Sequence, residues 1–143
     1  MTLIATGIPN VVLTKAVLPM GTQLPGTELV FTIGFENTGS ANAGGFEIVD
    51  PDPTDATLSL SSDMDFKVGS AAAVMGSTGL LGVTVSYSND GGLTYVYLPV
   101  SGAGGAPAGY DRLVTHIRWA FSGSLGFVSP NNSGNVSFTS RIR

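Results

Sequence analysis

The chain has 143 residues, a formal net charge of −4 and no cysteine. This length supplies one hydrophobic core rather than two. Its six basic residues make no clustered basic face for phosphate contacts, and without cysteine there can be no disulfide, thiolate metal site or Cys nucleophile. Charged residues are 11% and hydrophobic residues 43% of the chain, with a mean hydropathy of +0.30. Globular domains carry about 25% charge, so the surface calls for a cover. Neighbouring subunits, attached glycans, or a skin of Ser, Thr, Gly and Asn would each serve. No apolar run reaches the ~18 residues that span a bilayer, and no charged leader with a cleavage site precedes the first strand.

Residues 1–9, MTLIATGIP, read as an N-terminal extension of β-prone character. Leu3, Ile4 and Ile8 are apolar, yet the segment is too short for a core of its own. It is either a frayed or self-docked terminus, or a donor strand that completes a neighbour's sheet. Residues 10–143 read as the sandwich domain. Its first strand is Val11 to Leu18, ended by Pro19, with Lys15 in the middle. That lysine reads as a solvent-facing guard on an edge strand; the alternative is an isopeptide bond to Asn37 or Asn135 promoted by a nearby acid.

After the Pro25-Gly26 turn, Leu29, Phe31, Ile33 and Phe35 fall two apart between Glu28 and Asn37. Successive strand side chains point to opposite faces, so these four line a core face. Asn37 to Gly45 supplies turn residues, and Phe46, Ile48 and Asp50 alternate again. Asp50, Asp52 and Asp55 form an acidic, proline-interrupted corner that offers oxygen ligands to calcium, or else a rigid corner with local Asp turns. Asp63 and Asp65 are a second acid pair that could approach it. No other cofactor is suggested.

Ala56 to Leu60 and Asp63 to Val68 read as short strands, and Gly69 to Gly82 as a Gly-rich apolar loop or contact surface. Val83 to Ser88 and Leu93 to Leu98 predict a hairpin around Asn89-Asp-Gly-Gly92, with Asp90 as a turn residue. Ser101 to Gly109 is a loose linker between strands on opposite sheets. Arg112 to Phe121 predicts a strand with Leu113, Thr115, Ile117, Trp119 and Phe121 on one face, Trp119 anchoring the core. Gly134 to Arg143 closes the domain with Val136, Phe138 and Ile142 inward. Asn131-Asn-Ser133 and Asn135-Val-Ser137 fit the glycosylation sequon, Asn131 in an exposed turn.

His116 is the only histidine; it stands mid-strand with no nucleophile elbow or Gly-rich phosphate loop, so the chain reads as no enzyme. The lysine strand, the Pro-Gly turn, the strand ending Glu36-Asn-Thr-Gly-Ser40 and the Asp before a proline turn resemble a conserved repeat domain of bacterial and archaeal surface proteins, domain of unknown function eleven. Tyr87-Ser-Asn-Asp-Gly-Gly92, Thr115-His-Ile-Arg-Trp119 and Ser133-Gly-Asn-Val-Ser-Phe138 extend the resemblance over Asn10 to Arg143. The resemblance implies an immunoglobulin-like sandwich exported to the cell surface, with no activity attached.

An all-β, immunoglobulin-like antiparallel sandwich of seven to nine strands is therefore the expected fold, its core anchored by Phe31, Ile33, Phe35, Trp119 and Phe138. The expected function is a structural subunit of an extracellular filament or surface assembly: a glycosylated homopolymer, a pilus-like fibre joined by donor-strand complementation. The alternative is an adhesin-like module that binds glycan or protein through loop aromatics, with Tyr95, Tyr97 and Tyr110 as the candidates.

Overall fold

A computed structural model describes residues 7–51 and 60–143. Period-two alternation along the chain resolves into two antiparallel sheets packed as a sandwich that does not close into a barrel. The larger sheet runs β1 (Val11–Leu18), β2 (Glu28–Asn37), β10 (Ser133–Ile142), β5 (Met64–Lys67) and β8 (Tyr110–Asp111), with β6 (Ala72–Val74) beside the first half of β10. The smaller sheet is built on β9 (His116–Leu125), which has β7 (Leu80–Ser88) on one side. Its other pairings are to β3 (Ala43–Gly44) and β4 (Glu47–Asp50).

Register puts the core residues face to face. Phe31 of β2 lies opposite Phe138 of β10, and their rings stack at 5.0 Å. Trp119 of β9 reaches across from the other sheet to Phe138 at 6.1 Å. Phe35 meets Phe121 edge-on at 5.4 Å, and Phe46 stacks on Phe121 at 4.7 Å. Phe31, Ile33, Phe35, Trp119 and Phe138 are all at most 4% exposed. Burying aromatic rings of this size, each worth about 2–3 kcal/mol, is what drives the two sheets together.

Four segments depart from the sequence expectation. Leu60 opens a helical turn, Leu60–Asp63, and the rest of the expected Ala56 to Leu60 strand lies outside the described residues. Ala72–Val74 is a strand although its stretch read as a loop, because β10 offers it an edge at Asn135 to Ser137. Leu93 to Leu98 forms only a single bridge, Tyr97 to Tyr87, since Pro99 supplies no N–H to continue a ladder. The Arg112 to Phe121 strand begins at His116: Asp111 accepts the Leu113 N–H at 2.7 Å and turns the chain there. In consequence Val114 is buried and Leu113 is exposed. The Ser101 to Gly109 linker does cross between sheets, but it is internally bonded, through Gly102 N–H to the Tyr110 carbonyl and a 3-10 turn at Ala103–Gly105.

Candidate functional site

The distinctive geometry lies where the outer strands of the two sheets meet. Leu13, Lys15 and Val17 of β1 lie opposite Phe35, Ile33 and Phe31 of β2, so they share the inward face of the larger sheet. They are nevertheless poorly covered, and Leu13 remains 50% exposed. Among the described residues the smaller sheet ends at β4, which leaves β1 overhanging. Lys15 spans the gap, its Nζ 2.6 Å from Asp50 Oδ1 and 5.1 Å from the Phe31 ring centre. Beside this bridge runs a groove of about 400 Å³ walled by Leu13, Lys15, Ile33 and the four residues of β4. Lys15 is thus an exposed lysine on the edge strand that is also tied to a buried acid, its Nζ lying on Asp50 rather than on Asn37 or Asn135.

The N-terminal arm enters at the top of the same edge. Ser40 N–H donates to the Ile8 carbonyl and Thr38 N–H to the Asn10 carbonyl, each at 2.9 Å. Ile8 N–H donates in turn to Ser40 Oγ. A side chain on Gly39 would strike the Ile8 carbonyl oxygen, so the arm passes directly over the glycine. Buried Asn37 ties the corner: its Oδ1 accepts from the Asn10 and Gly39 N–H groups, and its Nδ2 donates to the Ala41 and Leu125 carbonyls. The docking is polar, with Asn10 Nδ2 also donating to Thr38 Oγ1 at 2.8 Å, and Ile8 stays 73% exposed. Leu3 and Ile4 lie outside the described residues.

The acids are distributed among separate tasks. Asp50 serves Lys15, and Asp52 and Asp55 lie outside the described residues. Asp65 takes Arg112 through both oxygens, at 2.9 and 3.0 Å, and Arg143 at 2.8 Å; the Arg112 guanidinium foremost holds its carboxyl below the usual range. It joins a cationic clamp instead of an acidic corner, while Asp63 accepts from Ser62. Asp90 caps its own turn through Ser88, Thr94 and Leu93, which lowers its pKa to about 2. Among the described residues no three acidic or histidine side chains cluster to hold a metal ion. Burial lowers the pKa of His116, and its Nδ1 lies 3.2 Å from Thr115 Oγ1.

All three candidate loop tyrosines are half-buried and internally engaged. The Tyr95 ring carries the Arg118 guanidinium at 4.3 Å, and Tyr110 OH donates to Glu28. Tyr97 OH donates to Asp111 at 2.9 Å, and burial followed by that carboxylate pushes its pKa up to about 12. Asp111, which also accepts the Val100 and Leu113 N–H groups, is a polar hub that the sequence pattern does not single out. Its signal was an aspartate two residues ahead of the N–H it captures, the spacing of an Asx turn. Of the sequons, Asn131 is exposed and accepts from Ser77 Oγ, and Asn135 is half-buried opposite Gly34 on β10.

No described helix is long and apolar enough to cross a membrane. No family model, curated protein or solved structure matches the chain.

Proposed function

We propose that the chain is a structural subunit of an extracellular filament or cell-surface assembly, joined to its neighbours by addition of the N-terminal segment to an adjoining sheet. The observation that carries this is the character of the surface. Among the described residues sixteen large apolar side chains are exposed, Leu81, Leu93, Val96 and Leu98 among them at 79% or more. The whole sequence has six basic and ten acidic residues, and Asp50, Asp65 and Asp111 are buried. A surface this apolar is covered when copies pack together. Donation of a strand by each copy to the next makes a head-to-tail contact, which propagates rather than closing. The resemblance to surface-protein repeat domains supports the same setting, with Asn131 and Asn135 as acceptors for glycans.

An adhesin would present aromatic side chains on its loops; Tyr95, Tyr97 and Tyr110 are spent on contacts within the domain, which leaves Phe127, 42% exposed, for such a role. Sedimentation of the full chain against one starting at Asn10 tests the proposal. Large concentration-dependent species that need residues 1–9 are expected. A full chain that stays monomeric up to high concentration refutes it.

A further inference from the structure

We infer that the outer edge of β4, beneath the overhang of β1, is the acceptor site, and that its occupant is the residue 3–8 segment of a second copy. This rests on the strand-addition reading above and names the place where the donor goes. The backbone dictates that the occupant is a strand. Phe121 N–H donates to the Phe46 carbonyl at 3.1 Å, and the register continues through Glu47↔Ala120, Ile48↔Trp119, Val49↔Arg118 and Asp50↔Ile117. Antiparallel pairs alternate between bonded and non-bonded. Ile48 and Asp50 therefore bond to β9, whereas Glu47 and Val49 turn their N–H and C=O groups to the outer side. No strand among the described residues pairs there. An added strand satisfies those groups and becomes the next strand of the smaller sheet.

The side chains dictate that it is apolar and uncharged. Leu13, Ile33 and Ile48 line the groove, and its two inward charges, Lys15 and Asp50, already neutralise each other at 2.6 Å. Residues 3–8, LIATGI, carry no charged side chain. Extended, they put Ile4 and Ile8 on one face, toward Leu13 and Ile48, with Leu3 and Ala5 on the other. A second copy is the source because the arm's own docking leaves its apolar side chain unburied: Ile8 is held by backbone bonds at Ser40 and is still 73% exposed.

The chain has no native cysteine, so an engineered pair reports this contact without competition. Val49 lies on the outer face of β4 and Ala5 on the outer face of the inserted strand, and a disulfide forms only when the two approach within bonding geometry. With A5C and V49C combined, oxidation of the assembled protein is expected to give a ladder of linked multimers that reductant collapses. A disulfide closed within single chains overturns the inference by placing the arm on its own β4. Polymers with no ladder overturn the acceptor assignment and leave assembly standing, whereas a double variant that stays monomeric overturns both. Val49→Pro supplies the complementary readout, since it deletes an N–H that faces outward and leaves the bonds to β9 in place. Losing that hydrogen bond is expected to raise the concentration needed for assembly about tenfold, in a protein whose fold is unchanged by circular dichroism. Unaltered assembly by folded Val49→Pro protein counts against the site.

Discussion

Lys15, on the outermost strand of one sheet, and Asp50, at the end of the outermost strand of the other, meet at 2.6 Å and staple the open side of the sandwich. The pair is unequal: the lysine side chain is 44% exposed and the aspartate only 7%. Removing the lysine strands a buried carboxylate, whereas removing the carboxylate leaves an ammonium that water can solvate. Lys15→Met is expected to cost about 2–3 kcal/mol and Asp50→Asn distinctly less. Urea unfolding of the two variants checks the order. The bond is ionic, so the intact mass is expected to equal the sequence mass, with no loss of water.

Asp65 closes the opposite side of the domain by holding Arg112 from the segment before β9 and Arg143 after β10. Its side chain is 2% exposed, and three charge-assisted bonds converge on it. Asp65→Asn is expected to destabilise the domain by about 3 kcal/mol. Thermal unfolding at neutral pH, with Asp63→Asn as a surface control, measures it.

Stability is expected to fall in acid, and the sign follows from the shifted groups. Asp90 titrates at about 2 in the folded chain against an ordinary 3.8, and Asp65 is lowered as well. Each stabilises fully above the ordinary value and ceases to as pH falls through the folded one. His116, lowered from 6.5 by burial, acts with the same sign at higher pH, because the unfolded chain takes up its proton first. Urea midpoints are expected to decline gently below pH 6.5 and steeply between about pH 4 and 2. Asp90→Asn flattens the steep part and His116→Gln the gentle one.

Trp119 is completely buried, and its indole N–H finds no acceptor among the described residues. Trp119→Phe removes that unsatisfied donor together with some packing area, so the two effects offset and a loss near 1 kcal/mol is expected. Phe138→Ala vacates the space between Phe31, Phe66 and Trp119 and is expected to cost about 3–5 kcal/mol. Chemical denaturation of both variants separates these cases.

Glu28–Asn37 was legible in the sequence because its apolar residues alternate and period-two burial is a local property, and Val11–Leu18 was legible as a β-prone run closed by Pro19, although it is mostly exposed. Segments decided by a distant partner were not. Ala72–Val74 becomes a strand because β10 lies beside it, and Val114 is buried because Asp111 reorganises the turn before β9. The seam between β1 and β4 was invisible for a related reason. Leu13 alternates like a core residue, and only the width of the second sheet determines that it stays half-exposed.

Under the proposed function, copies of this chain join through the N-terminal segment. Negative-stain electron microscopy of the purified protein at neutral pH, with and without residues 1–9, tests it most directly. Fibres from the full chain that vanish on truncation are the expected result. Equally dispersed single particles in both samples, or fibres that persist without residues 1–9, would contradict it.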